Sequence, residues 1–485
     1  MFEEPRELHG KRLIGYSLGN FGIILTNMFV SIFVFQYYVY TINLDSFLTS
    51  VGISLQLIIS AFSSILFGIL ADNKKPGKFG KRRPFLFYGL PIWIFTSIII
   101  WLPPKCPQNN SLYIPTAVFL WSILIIKSVS GSSIITTHLS MLTEQSQTHE
   151  NRERIAAITT FFHILASVLA LLFPLMVESL LLDPENVKWW EQSGKVILFY
   201  IPWIGTGFAL FGLISIIITF FSVDESFHIS SSNEIRKKKV SLKSFFHQMR
   251  TPLQDRKYTK YLAVRFFNSI SGKILGVIVI PFLTYTLMFT GNKYYIYVFV
   301  SFVSKVVGFW VWRKLIKRKS MLKTYKTCII AAIIASFMEL FFLIKFLSFE
   351  FEVILFIITM GTVLGSMYGL GLFDPPLTSV LIYEVADQAK GTNFNEAVSN
   401  ISGAYFGSSS FIMALGQSLA SLMIGLILTG QNAENSLIIT LTSASMGLFY
   451  LFSFFFLRKI KLDEKFLIKK AISLEETKED ILFEE

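Results

Sequence analysis

Charged residues are scarce in this chain. They make up 16% of its 485 residues, against about a quarter in an ordinary soluble domain, which excludes a water-facing surface for most of it. Cysteine is scarcer still: Cys106 and Cys328 are the only two, too few for a disulfide framework. Catalytic signatures are missing as well. No phosphate-cradling glycine loop or nucleophile elbow occurs, and His149-Glu150-Asn151 stands in a loop without a second metal ligand. An enzyme, a metal site and a cofactor are therefore not expected. Nor is a cleavable signal, because the first dozen residues are polar and the apolar run behind them exceeds a signal core of about 7–15 residues.

What the chain has is apolar length. Hydrophobic residues fill 53% of it, and mean hydropathy is +0.56. About 20 consecutive apolar residues cross a bilayer. About twelve such segments are read: 13–40, 45–71, 84–103, 113–142, 155–181, 195–222, 260–289, 294–315, 327–348, 352–385, 397–430 and 436–457. The tenth is too long for one straight span. The net charge of +12 is concentrated in loops on one side of these segments: 72–84, Arg152 and Arg154, Arg236 to Lys260, Arg313 to Lys326, and Arg458 to Lys470. That is the positive-inside pattern, not a nucleic-acid patch, and it puts both termini in the cytoplasm. The expected architecture is an all-α integral membrane protein of about twelve helices. It divides into an N-terminal six-helix half (1–222), a cytoplasmic inter-half loop (223–259), a C-terminal six-helix half (260–457) and a cytoplasmic tail (458–485). The cell membrane is the expected location and a monomer the expected state.

The junction Gly68-Ile-Leu-Ala-Asp72, followed by Asn73-Lys-Lys-Pro-Gly-Lys-Phe-Gly-Lys-Arg-Arg-Pro84, resembles the loop between the second and third helices of the major facilitator superfamily. Gly308-Phe-Trp-Val-Trp-Arg-Lys-Leu-Ile-Lys-Arg-Lys319 repeats it in degraded form, with Trp312 in place of Asp72. Paired halves with related loops are typical of transporters built from repeats. Three further stretches are similar to the glycoside–pentoside–hexuronide:cation symporters, the melibiose permease family. They are Ile14-Gly-Tyr-Ser-Leu-Gly-Asn-Phe-Gly22; Met141-Leu-Thr-Glu144 through Arg152-Glu-Arg154 to Ser167-Val-Leu-Ala170; and Glu384-Val-Ala-Asp387 with Ser402-Gly-Ala-Tyr-Phe-Gly407 and Leu415-Gly-Gln417.

The resemblance implies the major facilitator fold and sugar transport, but the family's charged ligands are replaced. Its first-helix aspartate falls on Ile24, its second-helix pair on Ser60 and Ser64, its fourth-helix aspartate on Ile135, its fifth-helix arginine on Thr159 and its eleventh-helix lysine on Ala414. Sodium coupling is therefore not inherited.

A charge inside the hydrocarbon costs at least about 2.5–3.5 kcal/mol on insertion scales, so it faces a cavity or a partner. Lys127 and Lys273 lie mid-way along their segments, and either could ligate an anionic or hydroxyl-rich solute or belong to an internal ion pair. Asn20 with Asn27, and Gln56 with Ser60 and Ser64, form polar stripes that suit either a solute pathway or helix–helix hydrogen bonding. His138, Thr159 and His163 join the pathway candidates, the imidazoles as possible proton carriers or packing residues. Asp374-Pro375-Pro376 reads as a helix break with Asp374 as the new N-cap, either a bend lining the solute pathway, which makes Asp374 a pathway candidate, or a structural kink. Asp72, at a helix C-terminus that disfavours an anion, gains by pairing with Arg82, Arg83 or a helix N-terminus of the other half. It is the expected latch, with Glu144, Arg154, Glu384 and Asp387 as further gating residues.

The expected function is secondary transport of a sugar, glycoside or similar small solute by alternating access, with coupling to a proton or another cation left open. The alternatives are a lysolipid carrier of the same fold and a membrane receptor or scaffold that does not transport. Nucleic acid is not an expected partner.

Overall fold

The computed structural model describes residues 6–75, 77, 79–146, 148–225, 252–344, 348–387 and 394–462. Six helices form the N-terminal half: α1 Gly10–Gln36, α2 Ser46–Asn73, α3 Arg83–Ile99, α4 Ile114–Gln145, α5 His149–Ser179 and α6 Gln192–Ser222. The C-terminal half holds α7 Arg256–Pro281, α8 Tyr294–Arg318, α9 Met321–Met338, α10 Phe349–Asp387 and α11 Phe394–Ile427. Its last span is split at Ser445 into α12 Ser436–Ala444 and α13 Met446–Arg458. Among the described residues eleven spans are long and apolar enough to cross a membrane, and α3 is a shorter apolar helix. The chain is an integral membrane protein, and the basic loops mark its cytoplasmic side.

Local chemistry fixes the helix ends. The Asp45 carboxylate accepts from the backbone N–H groups of Phe47 and Leu48 at the start of α2, Asp255 from Lys257 at α7, and Asn435 from Leu437 and Ile438 at α12. Each satisfies N–H groups that a helix leaves open at its first turn.

Small residues set the close crossings. A Cβ placed on Gly15, Gly19 or Gly22 of α1 would strike Ser222, Thr219 or Ser215 of α6, so this glycine run lets two helices approach at backbone distance. The C-terminal half repeats the device where Gly308 of α8 meets Gly365 of α10, whose Cα lies 2.7 Å from a Cβ built on Gly308.

Within the N-terminal half α1 packs on α5 and α6, and α4 on α2 and α3. In the C-terminal half α7 packs on α11 and α13, and α10 on α8 and α9. The halves meet where α2 runs against α11 and α5 against α8.

One sequence expectation is corrected. α10 runs unbroken from Phe349 to Asp387 through Pro375 and Pro376, so Asp374 caps no new helix. Each proline removes an N–H from the helical ladder. Hydroxyls bond to carbonyls at the prolines: Thr378 Oγ1 donates to Asp374 O at 2.8 Å, Tyr261 Oη of α7 to the same oxygen at 3.1 Å, and Ser379 Oγ to Pro375 O at 3.0 Å.

Candidate functional site: a central cavity sealed on its outer side

α1 and α7, the first helix of each half, both end on the outer side in a π-helical turn, Tyr37–Thr41 and Phe282–Thr286. Each turn aims a tyrosine across the boundary. Tyr40 Oη donates to Ala433 O at 2.6 Å, in the loop between α11 and α12, and Tyr285 Oη donates to Glu185 O at 3.1 Å, in the loop between α5 and α6. The two rings stack with centroids 5.6 Å apart. Ser46 Oγ donates to Gly425 O at 2.9 Å and Leu428 O at 2.7 Å, the hydroxyls of Ser54 and Ser418 are in contact, and Lys188 Nζ lies 3.8 Å from Glu434 Oε1. Burial lowers the pKa of the Lys188 ammonium, and Glu434 opposes that shift.

Inside this seal lie three neighbouring cavities. The first, about 340 Å³, is walled by the N-terminal half and brings together Asn20, Asn27, His138 and His163, with Ser31 at its edge. The second, about 520 Å³, shares Ser31 and is walled mainly by α7 and α10, through Arg265, Asn268, Lys273, Gly371 and Asp374. The third, about 610 Å³, follows the α2–α11 boundary from Leu57 and Gln417, which it shares with the second, past Ser60 and Ser64 to Ile69. Because α2 runs from the outer side to the cytoplasmic loop at Asn73, this path leads toward the cytoplasm.

The sequence candidates fall into distinct settings. Lys127 is 2% exposed and enclosed: its Nζ donates to Asn27 Oδ1 and Ser97 Oγ, both at 3.0 Å, and lies 5.0 Å from the Trp93 ring centre. His138 stacks on Tyr16 with ring centres 4.5 Å apart. Its Nε2 lies 3.0 Å from Tyr16 O, and Tyr16 Oη donates to His138 O at 2.8 Å. His138 thus locks α4 to α1 while one edge lines the first cavity. Thr159 reaches Ser17 Oγ at 3.4 Å, Ser60 meets Ser132 at 3.2 Å, and the backbone carbonyl of Gln56 accepts from Ser128. Lys273 and Asp374 line the second cavity.

Of the gating candidates, the Asp72 and Glu144 side chains lie outside the described residues. The Arg82 backbone N–H donates to Glu225 Oε2 at 2.9 Å, and the Arg83 guanidinium lies 5.3 Å from the Phe220 ring centre. The basic loop therefore docks on the end of α6. Arg154 pairs with Glu150 on its own helix at 2.5 Å, Glu384 with Lys257 of α7 at 2.6 Å, and Asp387 is exposed at the end of α10.

Of the polar cluster on the α7–α10 wall, the sequence reading named Asp374 and passed over its partners. Arg265 forms an ion pair with Asp374, and its Nε donates to Ser409 Oγ at 3.2 Å. Tyr261 and Tyr325 each donate to Asp374 Oδ1 at 3.1 Å, and Asn268 Nδ2 donates to Tyr325 Oη at 3.1 Å. The signal was present: Arg265 lies within the seventh apolar segment, eight residues before Lys273, so two turns and a fraction bring both to neighbouring faces. Lys305, also passed over, bridges the halves by donating to Ser167 Oγ at 3.1 Å.

The sequence matches the MFS/sugar transport protein family over residues 15–464. No curated protein sequence matches the chain. Among solved structures it is similar in fold to the nucleoside transporter NupG (TM-score 0.62, 12% identity, covering 93% of this chain and 100% of that one). It is also similar to a D-xylose-proton symporter (TM-score 0.59, 13% identity, 91% and 96%). A third is a bacterial homologue of the human lysosomal transporter Spinster, inward-facing and unoccupied (TM-score 0.60, 12% identity, 93% and 97%).

Proposed function

The chain belongs to the MFS/sugar transport protein family, a family of secondary transporters, and we propose that its cargo is a sugar, glycoside or similar hydroxylated solute. The observation that carries this reading is the second cavity, where donors and acceptors from α7 and α10 converge at mid-membrane next to neutral polar groups of α1. In transporters built from paired halves, solute sites lie near the bilayer midplane between the repeats. The tyrosine pair, Ser46 and the Lys188–Glu434 contact form the outer gate on this reading. They exist only while the outer side is closed, and contacts that differ between states are what bias a conformational equilibrium.

Coupling belongs to Asp374 rather than to the first two helices. Protonating its carboxylate would release Arg265, and solute binding and ion-pair geometry would then depend on each other. Asp72, Arg82, Arg83, Glu144, Arg154, Glu384 and Asp387 are the cytoplasmic counterpart, engaged when that side closes.

Counterflow in proteoliposomes tests the reading. Exchange of labelled glucose, galactose or a β-glycoside without an ion gradient supports a carrier, and binding without exchange refutes it. Uptake unaffected by pH would remove the role of Asp374 in coupling.

A further inference from the structure

We propose that the α7–α10 cavity is built for a solute that carries a negative charge as well as hydroxyl groups, with Lys273 as the ligand of its anionic group. The inference rests on the transporter reading and narrows its substrate class to hydroxylated carboxylates or phosphates.

Among the described residues lining the three cavities, Asp374 is the only carboxylate, and Arg265 occupies it. Lys273 therefore leaves the α7–α10 wall with one uncompensated positive charge. It is 9% exposed, and it has no hydrogen-bond or ion-pair partner among the described residues. Its counterpart Lys127, 2% exposed, donates to two side-chain oxygens. A buried ammonium without a partner is costly unless something else supplies one. Here the neighbouring volume is a cavity, not packed protein.

Unused acceptors give the second observation. Asn268 Oδ1 is buried and has no partner, and Asn268 lines the same cavity. Pro375 has no N–H to give the carbonyl of Gly371, another lining residue, so that oxygen lacks its helical donor. Acceptors beside a lone cation call for a ligand with hydroxyl donors and an anion on one framework. The space for it is kept by glycine: a Cβ added at Gly276 or Gly371 would meet nothing within 4 Å.

The test compares matched probes on the full chain in nanodiscs by thermal shift and isothermal titration. Glucose is set against glucuronate and glucose 6-phosphate, and galactose against galacturonate. The expected result is tighter binding of the anionic member of each set, with the carboxylate and phosphate arms separating the two sources of charge. Lys273→Gln should weaken the anionic probes by roughly tenfold or more, as for loss of a charged hydrogen bond, while leaving neutral ones within about twofold. Lys273→Arg should keep the preference, and Lys127→Gln should not alter it. Equal binding of neutral and anionic members, or a preference that survives Lys273→Gln in a protein that still binds solute, overturns the inference and leaves the sugar reading intact. Failure of every neutral and anionic probe overturns both.

Discussion

The two halves hold their buried cations in opposite ways. In the N-terminal half, Lys127 is closed in by Asn27, Ser97 and the Trp93 face. Its charge is spent on holding α1, α3 and α4 together. In the C-terminal half, Arg265 is matched by Asp374, and Lys273 beside them has no partner among the described residues. Two lysines that look alike in sequence, each midway along an apolar run, thus have different tasks. The difference lies in partners rather than depth. The lysine of one half is satisfied by side chains of that half, and the lysine of the other faces the cavity.

The largest expected effect comes from breaking the ion pair in the C-terminal half. Asp374→Asn leaves Arg265, half-buried beside Lys273, without its carboxylate. Removing one partner of a fully buried pair typically costs about 3–5 kcal/mol, and this cavity-lining pair should fall at or below the lower end of that range. Thermal unfolding in detergent should show a large drop in stability, and Arg265→Gln added to it should recover part of the loss. If Asp374→Asn is as stable as the parent, the ion pair does not organise this wall and the comparison fails on its C-terminal side.

An intermediate effect is expected from the N-terminal side. Asn27→Ala takes away one of the two acceptors of Lys127, leaving a buried charged donor less satisfied at about 1–3 kcal/mol. Stability should fall, and selectivity between neutral and anionic solutes should not change. A change in selectivity with unchanged stability would place Lys127 in the pathway and erase the contrast between the halves.

How much of this contrast was legible follows from what periodicity and hydropathy measure. The spans were, because about 20 apolar residues leave a mark that needs no tertiary information. Both lysines were also visible as charges out of place. Their partners were not: Lys127 meets residues of α1 and α3, and Arg265 meets α10, contacts that only packing creates. Arg265 lies five residues into the seventh apolar segment, close to the basic cluster ending at Lys260, and only packing shows that it faces Asp374. The Asp374-Pro375-Pro376 run misled in the other direction. Its local signal is a break, but the helix continues through both prolines, packed on α8 and α9. The matching π-helical turns left no sequence mark beyond Tyr40-Thr41 and Tyr285-Thr286.

Those tyrosines give the smallest effect and the sharpest control, because here the halves are alike rather than different. Each phenol spans the boundary from a π-helical turn and donates to a backbone carbonyl of the opposite half. Tyr40→Phe and Tyr285→Phe each lose one neutral hydrogen bond, about 0.5–1.5 kcal/mol, and keep the ring stacking. Both should shift the equilibrium modestly toward the outward-open state, by comparable amounts. The shift can be read as faster labelling of Ser54→Cys by a membrane-impermeant thiol reagent added from the outer side; native Cys106 and Cys328 are buried and give little background. Equal increases would mean that the gate is symmetric although the walls behind it are not. If Tyr285→Phe alone opens the seal, the asymmetry of the cavity extends to the gate, and the C-terminal half governs both access and binding.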